Sequence, residues 1–356
     1  MKQSWQIKKL GEVCNLYQPR TISGEMLVED GKYLVYGANG IIGRYNEYNH
    51  ENSEVLLTCR GATCGTINVS EPYSWINGNA MVVQPKNDNI GKTYLQYLLQ
   101  TVDWGKVITG AAQPQITRQS LSPLDVIIPP REEQERIVAI LDREFEKIDA
   151  LKDNAEKNLQ HAKDLFQSVL KQELQPKEGW ITMKLGAFAH MKAGDFIKAS
   201  DIKDEYFEGG YPCYGGNGLR GYVKEPNRNG EYCLIGRQGA LCGNIRIANG
   251  VFRATEHAVV VSPYQKMPIK LIYYLLVALN LNQYSTGAAQ PGLSVKNIAD
   301  NVSISVPPQD IWNSVALRLG VIESNCKALE ENYKKTIALC DDMKQALLRK
   351  AFNGEL

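Results

Sequence analysis

The chain has 356 residues, 44% hydrophobic and 22% charged, which gives room for two or three domains of a folded soluble protein. Forty Lys and Arg almost cancel 39 Asp and Glu, which excludes a strongly basic, sequence-independent nucleic-acid clamp. No apolar run approaches the roughly 20 residues that span a bilayer, the N-terminus lacks an apolar leader, and eight cysteines form no CxxC pair; a reduced, cytoplasmic protein without a zinc ribbon is expected.

In chain order, WQIKKLG at 5–11 opens a stretch rich in Gly, Asn and Tyr. Short β-prone runs such as EVLLT at 54–58 are punctuated by Asn-Gly turns at 39–40 and 77–78. A short core helix is predicted over KTYLQYLLQTV at 92–102, followed by TGAAQP at 109–114 and Pro-Pro at 129–130. Pro suits the start of a helix and not its interior, and residues 131–174 contain neither Pro nor Gly, so a long helix is predicted there. Its apolar seam is Ile137, Leu141, Ile148, Leu151, Ala155, Ala162, Leu165 and Val169.

The second part of the chain repeats the first. WITMKLG at 180–186 answers 5–11, YGGNGLRG at 214–221 answers YGANGIIG at 36–43, and GALCGNI at 239–245 answers GATCGTI at 61–67. HAVVV at 257–261 answers NAMVV at 79–83, TGAAQP returns unchanged at 286–291, and Pro-Pro returns at 307–308. The offset stays between 175 and 178, so these are two homologous domains and not a solenoid. Turns at 217–218 and 229–230, a β-run at 231–235 and a helix over 269–280 complete the copy. Residues 309–356 form a second long helix, with Val315, Leu319, Ile322, Cys326, Leu329, Tyr333, Thr336, Cys340, Met343 and Leu347 at alternating steps of four and three.

The predicted architecture is α+β. Globular domains at 1–130 and 175–308 are joined by coiled-coil helices at 131–174 and 309–356, each ~63 Å long. If the helices pair within one chain they run antiparallel, giving a dumbbell with approximate two-fold symmetry.

Catalytic signatures are missing. There is no phosphate loop, no Asn/Asp-Pro-Pro-Tyr/Phe methyltransferase motif, and no ligand spacing among His50, His161, His190 and His257. His257 aligns with Asn79, so the repeat does not keep an imidazole, and His257 reads as a satisfied structural residue.

The ordered motifs, doubled and followed by long helices, resemble the specificity subunit of type I restriction–modification systems. The ends LFQSVLKQEL at 165–174 and ALLRKAFNGEL at 346–356 resemble it too. The resemblance covers essentially the whole chain. It implies a non-catalytic subunit in which each globular domain reads one half of a split double-stranded DNA site. It implies helices that space the domains and dock two modification subunits carrying S-adenosylmethionine, with ATP-driven restriction subunits joining; no cofactor is expected in this chain. Alternatives are the specificity component of a fused restriction–methylation system and a coiled-coil scaffold that never touches DNA.

Arg suits guanine and Asn or Gln suits adenine in the major groove. Candidate DNA-binding residues are therefore Tyr36, Asn39, Arg44, Arg60, Gln113 and Arg118 in the first half. In the second they are Tyr214, Asn217, Arg220, Arg237, Gln238, Arg253, Gln290 and Lys296. YGxNG also reads as a plain turn. Gln113 and Gln290, inside the unchanged hexapeptide, suit framework or phosphate contact better than base readout. Positions that differ are the better specificity candidates: Cys59 against Arg237, Arg60 against Gln238, Trp75 against Arg253. The extra cations of the second half suggest more guanine contacts.

Overall fold

A computed structural model describes residues 5–110, 113–239, 241–287 and 291–356. It contains two compact units, one of Met1–Glu156 with Lys335–Leu356 and one of Lys157–Lys334.

In the first unit, Gln6–Lys9 pairs antiparallel with Asp125–Ile128. A four-stranded antiparallel sheet runs in the order Cys14–Tyr17, Ala80–Pro85, Val55–Thr58, Ile67–Val69. A second sheet has Tyr33–Gly37 between Gly40–Tyr45 and the parallel strand Trp75–Ile76. The second unit repeats this plan. Ile181–Lys184 pairs with Ser303–Val306. The four-stranded sheet is Ala189–Ala193, Ala258–Pro263, Tyr232–Gly236, Ile245–Ala248. The second sheet is Gly218–Val223, Tyr211–Gly215, Val251–Ala254, with Arg228–Asn229 added at its edge.

Continuous apolar runs form the central strands because both faces of the sheet are covered. The two-residue period divides each run between two cores. Val55, Leu57, Met81 and Val83 pack with Tyr94, Leu95 and Leu98 of the helix Lys92–Leu99. Leu56, Ala80 and Val82 turn the other way, onto Tyr36 and Ile76 of the second sheet. The second unit makes the same division: Cys233, Ile235, Val259 and Val261 face the helix Ile269–Ala278, while Leu234, Ala258 and Val260 face Phe252 and Ala254.

The long helices span Arg131–Glu173 and Trp312–Asn353. Each starts beside its Pro-Pro pair, where a buried side chain captures a proline carbonyl. Gln134 Nε2 donates to Pro129 O at 2.9 Å, and Trp312 Nε1 donates to Pro307 O at 2.8 Å. In the first unit the helices run antiparallel, with Lys152 on Asp341 at 2.7 Å, Lys344 on Asp149, and Arg136 donating to Leu356 O at 2.8 Å. In the second, Arg318 meets Glu173 at 3.0 Å.

The buried stripe departs from the strict heptad read from the sequence. Leu329 and Met343 are 40% and 48% exposed, and Leu151 and Leu165 are 47% and 49% exposed. Lys152, Phe166, Glu330 and Lys344, each one residue further on, are the more covered. A helix of 3.6 residues per turn falls behind a seven-residue repeat by about 20° per heptad, so the covered position slides forward by one residue within a few heptads.

Candidate nucleic-acid interface

In each unit four chain segments converge at one end of the central strands. The first is a two-residue hairpin turn. Gly37 pairs with Gly40, leaving Ala38 and Asn39 at the tip; Gly215 pairs with Gly218, leaving Gly216 and Asn217 there. Gly40 and Gly218 take φ of +105° and +103°, a region other residues rarely adopt. Thr58 Oγ1 donates to Ala38 O and ties this turn to the next segment.

The second segment follows the central strand at Cys59–Arg60 and Arg237–Gln238, and the third precedes the next strand at 77–79 and 255–257. Cys59 N donates to Asn79 O at 3.3 Å, and Arg237 N donates to His257 O at 2.9 Å. The fourth is the repeated hexapeptide. Thr109 and Gln115 exchange backbone hydrogen bonds at 2.8 and 2.9 Å, and Thr286 and Gly292 do so at 2.9 Å each. It is fastened to the second segment by Gly61 N to Pro114 O at 3.1 Å and Gly239 N to Pro291 O at 3.0 Å.

On this frame Asn39, Arg60 and Gln113 are exposed in the first unit, as are Asn217 and Gln238 in the second. Arg44 and Arg220 stand exposed on the hairpin strands, Arg44 donating to Gly31 O at 3.2 Å. Arg118 and Lys296 lie exposed on the short helices Arg118–Leu121 and Val295–Asn301, beyond the hexapeptide. Arg237 is half-buried at the centre, with Nε donating to Leu293 O at 3.4 Å. Gln290 lies outside the described residues.

Three expectations need correction. Tyr36 is 5% exposed, part of the core between the sheets, and its hydroxyl accepts from Glu71 N at 3.1 Å, so its ring offers no open face. Its counterpart Tyr214 is half-buried, edge-on to Phe252 at 5.5 Å. The contrast of Trp75 with Arg253 is a contrast of packing. Trp75 is buried, with Nε1 on Arg20 O and Asn77 Oδ1, and Arg253 clamps loops by donating to Glu225 O and Phe196 O, both at 3.2 Å. His257 is not satisfied: Nε2 lies 3.1 Å from Glu256 Oε1, but Nδ1 is covered and has no hydrogen-bond partner among the described residues.

The third segment, 77–79 and 255–257, was missing from the sequence candidates. Its signals were the Asn-Gly turn at 77–78 and the polar residue opening NAMVV and HAVVV, overshadowed by the apolar strand behind them.

Burial disfavours the thiolate form of the cysteines near these loops. Burial pushes Cys59 and Cys213 up, against the opposing pull of Arg60 on the first and of Arg253 and Arg220 on the second. Deeper in the sheets, burial pushes Cys14 and Cys233 up to about 12. Among the described residues, no group of three or more His, Cys, Asp and Glu could hold a metal ion, and no helix is long and apolar enough to cross a membrane.

The family model described as "Type I restriction modification DNA specificity domain" matches residues 2–161 and again 177–338. The chain belongs to this family. It carries two such domains, in agreement with the duplicated loop frame. The type I restriction enzyme EcoprrI specificity subunit of Escherichia coli is 51% identical over 119 residues; that match covers 33% of this chain and 29% of the E. coli protein. A putative type I specificity subunit of Mycoplasma pneumoniae is 26% identical over 261 residues, 68% of each chain. Among solved structures, a chain from work on complex assembly and conformational transition of the type I R-M system aligns with a TM-score of 0.80 at 18% identity, covering 100% of this chain and 99% of that one. The HsdS subunit from Thermoanaerobacter tengcongensis aligns with a TM-score of 0.57, also at 18% identity, covering 100% and 98%. These likenesses establish the fold of a specificity-domain protein along the whole chain.

Proposed function

We propose that this chain is the DNA-specificity subunit of a type I restriction–modification complex and has no catalytic centre of its own. Each unit reads one half of a bipartite double-stranded DNA site. The observation that carries this reading is the loop frame itself: two family domains share one set of backbone hydrogen bonds and present different side chains on it. A reader of two different half-sites needs that combination.

The roles divide by chemistry. Arg60, Asn39, Arg237, Gln238 and Asn217 have groups that pair with base edges, Arg on guanine and Asn or Gln on adenine. Gln113, in the hexapeptide common to both halves, suits a phosphate, as do Arg118 and Lys296. The near-neutral charge leaves much of the phosphate clamp to partners. Two modification subunits bring S-adenosylmethionine and take the flipped adenine into their own pockets. ATP-driven restriction subunits join that complex in the cytoplasm. The long helices dock the modification subunits and set the gap between half-sites.

Sequencing of methylated sites in the source cell, before and after deletion of this gene, tests the proposal. Loss of one bipartite methylated motif is the expected result; an unchanged methylome contradicts it. The purified chain alone should transfer no methyl group, and addition of the modification subunit should restore transfer. Arg237→Ala should cost about 1–3 kcal/mol at one position of one half-site if it meets a guanine edge. A loss spread evenly over all sequences would assign Arg237 to phosphate.

A further inference from the structure

The segment before the last strand of each four-stranded sheet has the same backbone in both units and unlike side chains. Ala80 N donates to Asn77 O and Ala258 N to Thr255 O, both at 2.9 Å. Asn79 O and His257 O each receive the amide of the residue after the central strand. These bonds use the main chain only, so the loop does not depend on the side chains at 78–79 or 256–257.

The first unit places Gly78 and exposed Asn79 here. Gly78 is dictated by its surroundings, since a Cβ would come within 2.6 Å of Pro19 O. The second unit has room for Glu256 and His257, whose side chains are 26% and 37% exposed and 3.1 Å apart. The pair sits among the reading loops: a Cβ on Gly216 of the hairpin tip would meet both His257 O and Gln238 O within 3.3 Å.

Two features separate this pair from ordinary surface charge. A carboxylate among DNA-facing loops is repelled by phosphates and contributes nothing to general affinity. Its hydrogen-bonding capacity is also unspent: Glu256 Oε2, His257 Nδ1 and Arg253 Nε are covered and have no partner among the described residues. Buried polar atoms are usually satisfied, and a group of exceptions within five residues asks for a reason.

We infer that the loop before the last strand is a specificity element in both units: Asn79 reads an adenine in the first half-site, and the Glu256–His257 pair reads a G·C pair in the second. The Asn79 amide matches adenine N6 and N7 in the major groove. The Glu256 carboxylate accepts from cytosine N4, and an imidazole N–H of His257 donates to the guanine edge.

The inference rests on the DNA-reading function proposed above, and one experiment separates the two. The gene is deleted in the source cell and complemented with wild type, Asn79→Ala, Glu256→Gln or His257→Asn, and methylated sites are sequenced. Wild type restores one bipartite motif; if it restores none, the functional reading fails. Asn79→Ala is expected to relax one position of the first half-site only, and the other two variants one G·C position of the second, each by roughly 10- to 100-fold in discrimination. A motif unchanged in all three variants overturns the inference and leaves the functional reading standing. Binding of purified complexes to duplexes carrying A·T in place of each G·C pair of the second half-site gives an independent measure. Wild type should reject one replacement that the Glu256→Gln complex accepts. Equal rejection by both complexes also overturns the inference.

Discussion

Tyr97 of the first unit and Tyr274 of the second hold equivalent places on their short helices, where YLL recurs at 97–99 and 274–276. Each hydroxyl donates to a carboxylate on a long helix, in different ways. Tyr97 meets Asp142 at 2.5 Å on the surface, with its ring edge-on to Phe145. Tyr274 meets Glu323 at 2.7 Å in the interior, and Glu323 also accepts from Lys327 at 2.6 Å and lies 3.9 Å from Lys270. Asp142 is matched by Gly320 and Phe145 by Glu323, so the partner of the hydroxyl has moved one turn along the helix. The duplicated fold keeps the apolar frame and leaves the polar solution free. The units should therefore respond alike to core changes and differently to polar ones.

The largest and most equal effects should come from the frame. Leu141 and Leu319 occupy matching positions in the long helices and both are fully buried. Leu141→Ala and Leu319→Ala should each cost about 2–5 kcal/mol, measured by denaturant unfolding. A several-fold inequality between them would break the comparison.

The hydroxyls should separate the units. Tyr274→Phe leaves a buried carboxylate short of a donor and should cost about 1.5–3 kcal/mol. Tyr97→Phe, beside solvent-exposed Asp142, should cost under about 1 kcal/mol. Equal costs in thermal unfolding would remove the distinction between interior and surface.

Acid should separate them further. Burial raises the Glu323 carboxyl, but hydrogen bonds from Lys327 and Tyr274 and the charges of Lys327 and Lys270 outweigh it, and the net shift is downward. A carboxyl lowered on folding contributes stability that is complete above its unfolded value of about 4.3 and is lost as pH falls through the folded value. Wild type should therefore lose stability more steeply than Glu323→Gln as pH is lowered below about 4.3. Parallel curves would show that Glu323 is uncoupled from folding.

The smallest effect concerns Gly320. A Cβ there would sit 3.6 Å from the Tyr274 hydroxyl, an ordinary contact. Gly320→Ala should stabilise the chain by roughly 0.5–1 kcal/mol through helix propensity, read as a rise in unfolding midpoint.

The duplication, the hairpin turns and the long helices were legible because Gly, Asn and Pro mark backbone requirements that survive any tertiary setting. The exposure of Leu151, Leu165, Leu329 and Met343 was not, because a sequence seam counts in sevens while the helix turns every 3.6 residues. Asn39, Arg60, Gln113, Asn217 and Gln238, picked by residue type, are exposed on the converging loops. Buried Tyr36 was misread because nothing local shows that a second sheet closes over it. Asn79 and His257 were aligned but read as structural, and Glu256 was not singled out, because the apolar strand behind them dominates the pattern. The clamp made by Arg253 depends on carbonyls of Phe196 and Glu225, the first 57 residues away, and no spacing rule announces it.

The central claim is that two units on one frame read two independent half-sites. Exchange of residues 1–130 for the matching domain of another family member, followed by sequencing of the sites methylated by the hybrid complex, tests it most directly. The account predicts a new sequence in one half-site, with the other half-site and the gap between them unchanged. A change in both half-sites, or the original motif restored in full, would contradict it.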